Sequence, residues 1–386
     1  MAALQMKPEL SWRGRLDSVS HGRRRSGRNA NGSGFVVAGQ ARRIEGVSEE
    51  LNAIARQNLD FAVVRRRVRW AFAGTQQELD HLLFKRAPSG IQMEEWYEVN
   101  SRGLEVFCKS WFPPPSSKVR IKGAVFFCHG YGDTCTFFFE GIAKRIAAEG
   151  YGVFAMDYPG FGLSQGLHGY IPSFDELVED VIEQYTKIKG KPLIRKLPHF
   201  IFGQSMGGAV ALKLHLEQPS MWDGIVLVAP MCKIAEDIMP PDFMVKIAKF
   251  LSVALPKVKL FPNEDLSHFT FQELAKRRLA QVNVVSYKDK VRVRTAMELL
   301  KTTKEIERQL DKVSAPLLIL HGSEDKVTDP QVSQFLYHKA SSQDKTIKLY
   351  RGGYHCILEG ESDERILEVI NDIISWLDVQ SVINKN

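Results

Sequence analysis

The 386-residue sequence contains no run of about 18 apolar residues, and its longest stretches, such as Ile225 to Met231, are short. A membrane-spanning helix is therefore not expected, and any lipid contact has to be peripheral. Cysteine is scarce and odd in number: Cys108, Cys128, Cys135, Cys232 and Cys356 show no Cys-x-x-Cys or His-x-x-x-His spacing. Reduced, mostly buried thiols fit that pattern, and a disulfide framework or a structural zinc site does not. No apolar segment of about 7 to 15 residues follows the basic start, so a secretory signal is not expected. Gly160-Phe161-Gly162 lacks the third glycine of a dinucleotide-binding loop and opens no predicted helix. No ligand cluster calls for a metal or an organic cofactor, and nothing in the sequence specifies an oligomeric state.

The net charge of +7 has a local origin. Residues 1–43 carry Lys7, Arg13, Arg15, Arg23, Arg24, Arg25, Arg28, Arg42 and Arg43 against only Glu9 and Asp17, and basic and acidic residues balance in the rest. The excess thus describes one segment and not a nucleic-acid-binding surface. Rich in Arg, Ser and Gly and poor in acids, residues 1–43 resemble an organellar transit peptide of the plastid kind. The alternative is a solvated basic arm on a protein of the cytoplasm or of a membrane surface.

From Ile44 the apolar residues Ile44, Val47, Leu51 and Ile54 recur at helical spacing, and a second apolar-basic stretch carries Arg65, Arg66, Arg67 and Arg69. Residues 44–90 read as a helical extension whose arginines form a solvated face, with contact to anionic lipid as the alternative. Met93 to Val99 and Leu104 to Phe112 then flank Asn100-Ser101-Arg102-Gly103, a strand, a turn and a strand.

Beyond this hairpin, short apolar runs (Ala124 to Cys128, Val153 to Asp157, Phe200 to Phe202, Ile225 to Val228) alternate with helical stretches. Such alternation predicts a mostly parallel sheet with helices on both faces, begun in residues 91–230 and completed in residues 311–386. Strand signals vanish in residues 231–310, which read as a helical insertion. Its segment Asp242 to Leu255 is apolar over much of its circumference.

The pattern G-x-S-x-G occurs twice, at Gly203-Gln204-Ser205-Met206-Gly207 and at Gly162-Leu163-Ser164-Gln165-Gly166. An exposed nucleophile at a sharp strand-to-helix turn needs a buried strand before it and a helix after it. Ser205 has both, whereas Ser164 follows Tyr158-Pro159-Gly160 and soon meets Pro172, as a loop residue does. A serine hydroxyl needs a base to take its proton and a carboxylate to hold that base in the right tautomer. Downstream, one predicted strand ends in His321-Gly322-Ser323-Glu324-Asp325 and the next in Gly352-Gly353-Tyr354-His355. The candidates are Ser205, Asp325 and His355, with Glu324 and Asp329 as rival acids. Glu324 should point away from Asp325, and Asp329 before Pro330 resembles a helix start. Backbone N–H donors for a tetrahedral oxyanion are expected from Met206 and from the loop His129-Gly130-Tyr131-Gly132-Asp133, at Tyr131.

Taken jointly, His129-Gly130-Tyr131-Gly132, Asp157 to Ser164, Gly203 to Gly208, His321 to Asp325 and Tyr354-His355 resemble the monoacylglycerol lipase branch of the α/β-hydrolases. The likeness is greatest to its plant-type members, which include caffeoylshikimate esterases, and it runs from about Met93 to Leu377. It implies an α/β-hydrolase fold with an inserted helical cap, a Ser205–Asp325–His355 triad and an oxyanion hole at Tyr131 and Met206. It further implies cleavage of a small ester, a monoacylglycerol or another single-chain lipid ester, with peripheral membrane contact through the cap. A phenylpropanoid esterase, a lysophospholipase, an acyltransferase and a ligand-sensing receptor on the same fold are the alternatives. Many lipases of the branch carry His before the nucleophile, where this chain has Gln204.

Overall fold

The computed structural model of the protein describes residues 43–115, 120–233, 241–261 and 267–383. All but one residue of the basic segment 1–43, with the transit-peptide expectation attached to it, lies outside them. The extension forms α1 (Glu49–Ala55), α2 (Ala62–Gln77) and α3 (Leu82–Lys85). The core follows as β1 (Gln92–Val99), β2 (Glu105–Phe112), β3 (Gly123–Cys128), α4 (Phe138–Ala148), β4 (Tyr151–Met156), α5 (Phe174–Lys189), β5 (His199–Gln204), α6 (Met206–Glu217) and β6 (Gly224–Val228). The insertion holds α7 (Asp242–Ala254), β7 (Lys259–Phe261), α8 (Ser267–Thr270), α9 (Leu274–Leu279), β8 (Val291–Arg292) and α10 (Val293–Glu307). The chain closes with β9 (Leu317–Gly322), α11 (Pro330–Lys339), β10 (Lys345–Tyr350) and α12 (Asp363–Ile383).

Eight strands form one sheet in the order β1-β2-β4-β3-β5-β6-β9-β10. Every pairing from β4 to β10 is parallel, and β2 alone runs against the rest. The central strands are buried on both faces, which is why they read as continuous apolar runs. Successive side chains nonetheless divide between two cores. Val125, Phe127, Phe200 and Phe202 pack with α4, α12 and the extension, while Ala124, Phe126 and Ile201 pack with α5, α6 and α11. All five cysteines are free, and four are buried.

Two features depart from the sequence reading. The insertion is not wholly helical, because β7 and β8 pair as a short antiparallel ribbon; strands of three and two residues are too brief to show a period. Nor are the arginines of α2 all solvated. Arg65 is fully buried, donating from Nε to the Gly162 carbonyl at 2.6 Å and from its terminal nitrogens to the carbonyls of Ser164 and Leu59 at 2.5 and 2.8 Å. A guanidinium tolerates burial when its donors meet acceptors, and these lie up to about a hundred residues away in sequence.

The extension is thus joined to the core along its length. Gln76 donates to the Val282 carbonyl, and His81 Nε2 to the Glu359 carbonyl at 2.9 Å. Helix α3 approaches α4 so closely that a methyl group on Gly141 would stand 2.1 Å from the Leu83 carbonyl oxygen. Among the described residues no helix is long and apolar enough to cross a membrane.

Candidate active site

Strand β5 ends at Gln204 and α6 begins at Met206, so Ser205 makes the whole turn by itself. It does so at φ 54° and ψ −121°, in the positive-φ region that side chains avoid, at a cost of roughly 1–3 kcal/mol. Three backbone hydrogen bonds impose that geometry. The Ser205 N–H donates to the Val228 carbonyl, and the Ser205 carbonyl accepts from Gly208 and Met231. The turn also requires α6 to start against β3. A methyl group on Gly207 would lie 1.9 Å from the Cys128 carbonyl oxygen, a contact no local shift relieves. Strain and close packing together project the hydroxyl beyond the sheet's carboxyl edge.

His355 and Asp325 come to the same edge from the loops after β10 and β9. His355 Nε2 is 3.0 Å from Ser205 Oγ, and its Nδ1 is 2.7 Å from Asp325 Oδ2. An ionised carboxylate only accepts, so Nδ1 carries the hydrogen and Nε2 is left to accept the serine proton. Asp325 Oδ1 accepts from the N–H groups of Val327 and Thr328, and the Thr328 hydroxyl is 2.9 Å from Oδ2. Burial pushes the Asp325 carboxyl up, yet the charge of His355 and hydrogen bonds from His321 and His355 hold it well below the usual carboxylate range. Burial pulls His355 down, but the charge and hydrogen bond of Asp325 outweigh it and leave the imidazole above its ordinary value.

Sequence reasoning assigned no role to His321 or Thr328. The His321 Nε2–H donates to Asp325 Oδ2 at 2.9 Å and to the Thr328 carbonyl at 2.8 Å, while its Nδ1 accepts from Ser333. Asp325 is therefore held between two histidines. The only signal in the sequence was that His321 precedes Asp325 by four residues, which is too common a spacing to single it out. Of the rival acids, Glu324 is exposed, and Asp329 caps α11 by accepting from the Gln331 N–H.

Ser164 has a different task. Fully buried, it donates to the Asp157 carbonyl at 2.5 Å and accepts from the Phe107 N–H at 2.8 Å, which leaves it no access to a substrate.

The loop after β3 passes beside the nucleophile. A methyl group on Gly130 would sit 3.4 Å from Ser205 Cβ. The Gly130 carbonyl is turned toward His129 Nδ1 and the Asp133 N–H, which in a trans peptide directs the Tyr131 N–H to the opposite side. The Tyr131 hydroxyl donates to the Gly169 carbonyl, and its ring packs edge-on against Phe161 and Tyr287. The base of the insertion grips the same loop, since the Tyr287 N–H donates to the Gly132 carbonyl and Asn283 to Asp133. Met206 follows Ser205 as the first residue of α6, a position whose N–H faces the helix N-terminal end. Among the described residues no group of three His, Cys, Asp or Glu could hold a metal ion.

Residues 119–363 match the family described as serine aminopeptidase, S33, whose fold is that of the α/β-hydrolases. The chain belongs to this α/β-hydrolase family. Caffeoylshikimate esterase of Arabidopsis thaliana is 32% identical over 296 residues, 74% of this chain and 88% of that protein. Monoglyceride lipase of Homo sapiens is 31% identical over 300 residues, 76% of this chain and 93% of that protein. Among solved structures, a soluble variant of the Saccharomyces cerevisiae monoglyceride lipase superposes with a TM-score of 0.63 at 23% identity, over 75% of this chain and 95% of that one. The Paleococcus ferrophilus monoacylglycerol lipase gives 0.61 at 24% identity, over 72% and 99%. These two show the fold alone; the family match and the curated relatives mark this α/β-hydrolase as an ester hydrolase of the serine type.

Proposed function

We propose that Ser205, His355 and Asp325 cleave a single-chain lipid ester of the monoacylglycerol class through an acyl-enzyme. Ser205 Oγ attacks the ester carbonyl carbon while its proton passes to His355 Nε2. The resulting oxyanion is met by the N–H groups of Tyr131 and Met206. His355 then protonates the departing alkoxide as the carbon–oxygen bond breaks, leaving the acyl group on Ser205. In the second half, His355 takes a proton from water, the hydroxide attacks the acyl carbon, and the free acid leaves as Ser205 recovers its proton. Asp325 orients the imidazole and stabilises its charged form.

The relay of 3.0 and 2.7 Å built on a strained turn carries this reading. The lipid character of the substrate rests on α7, where Phe243, Met244, Ile247, Phe250 and Val253 are exposed, the last two by 72% and 75%. An apolar face of that size on a surface helix, with Lys246 and Lys249 alongside, suits peripheral contact with a bilayer where such esters partition. The likeness to a caffeoylshikimate esterase favours a second reading, a phenylpropanoid ester.

A hydrolysis panel decides between the two. Purified protein should turn over 2-monoacylglycerol faster than lysophospholipid or caffeoylshikimate; a preference for caffeoylshikimate would replace the lipid assignment with the phenylpropanoid one. Phe250→Ser should weaken co-sedimentation with phosphatidylglycerol-containing vesicles several-fold while hydrolysis of a short soluble ester persists. Equal sedimentation of the two proteins would remove α7 from the contact surface.

A further inference from the structure

Gln204, the residue before the nucleophile, is buried, and its Nε2 donates to both carboxylate oxygens of Glu359, at 3.0 and 3.3 Å. Glu359 is also buried and follows His355 by four residues, in the loop between β10 and α12. The pair therefore ties the strand that carries Ser205 to the loop that carries His355. A third element joins in, because the Glu359 carbonyl accepts from His81 of the extension at 2.9 Å.

The charged and titratable groups facing the Glu359 carboxyl come from two sides. From its own loop come His355 and Cys356, and from the loop after β3 comes Asp133. Lys276, whose charge acts on His81, is occupied by the Glu361 carbonyl and Asp363. Burial and the nearby Asp133 push Glu359 up to about 7, and burial pushes Asp133 up to about 6. Glu359 also acts on His355, favouring its charged form.

We infer that Gln204 and Glu359 form a positioning pair that holds nucleophile and histidine in register. The inference rests on the proposed catalytic roles of Ser205 and His355.

The test is the measurement of kcat and KM for a short p-nitrophenyl ester at a fixed pH of about 8, where both carboxyl groups of the Gln204→Glu variant favour their charged forms. Glu359→Gln keeps the size and an acceptor for the Gln204 amide and serves as the reference for the double variant. Gln204→Glu sets two carboxylates face to face and should lower kcat about tenfold with KM little changed. Gln204→Glu/Glu359→Gln, which exchanges the two groups, should recover most of that loss. A double variant no better than Gln204→Glu overturns the positioning role. Should Gln204→Glu fail to fold, the double variant is compared with Glu359→Gln, and a tenfold deficit there counts against positioning. Turnover that persists in Ser205→Ala would instead remove the catalytic assignment beneath the inference, so the two failures are distinguishable.

Discussion

Ser205→Ala should lower kcat/KM for the ester by roughly four to six powers of ten, with its unfolding transition unchanged. In the proposed mechanism the hydroxyl is the atom that bonds the substrate carbonyl, and it stands 3.0 Å from His355 Nε2. Ser164→Ala gives the opposite signature. It removes a donor to the Asp157 carbonyl and strands the Phe107 N–H, a buried loss of about 1–3 kcal/mol that appears as a lower Tm with kcat nearly intact. Both variants should therefore be measured twice, by ester turnover and by thermal unfolding. Equal losses of activity in two folded proteins would end the assignment of Ser205.

A second large effect is expected far from the chemistry. Arg65→Ala should destabilise the protein by about 3 kcal/mol or more, since the carbonyls of Gly162, Ser164 and Leu59 lose their donors and a cavity replaces the guanidinium. Arg67, two residues on, is exposed, and its guanidinium hydrogen-bonds the Gln57 side chain. Arg67→Ala should change stability by no more than about 0.5 kcal/mol. Urea unfolding of the two variants checks the contrast. If both match the parent, α2 is an appendage and its buried arginine carries no structural weight.

What could be read in advance follows from how information is distributed along a chain. The central strands were legible because burial on both faces demands uninterrupted apolar runs such as Phe200-Ile201-Phe202. Ser205 stood out from Ser164 because its neighbours form a strand and a helix, a local property. Asp325 and His355 were legible as residues at the ends of successive strands, and the structure places both beside Ser205. Illegible were the pairings made across long separations by residues with no period of their own. Arg65 with the Gly162 loop, Gln204 with Glu359 and His321 with Ser333 all depend on which acceptor the finished fold delivers. The β7–β8 ribbon was missed for the separate reason that it is too short to alternate.

The bond between His81 and the Glu359 carbonyl spans 278 residues, which bears on how the protein is made. At about 5–20 residues per second, a ribosome needs roughly 15 to 55 s to deliver the acceptor after the donor has been synthesised. Through that interval His81 lacks its acceptor, although the Gly162 and Ser164 carbonyls that receive Arg65 follow that residue by only 97 and 99 positions. Of the side-chain bonds described for the extension, this clasp is the last whose acceptor is synthesised, and a chain terminated before Glu359 would leave it with nothing to close on.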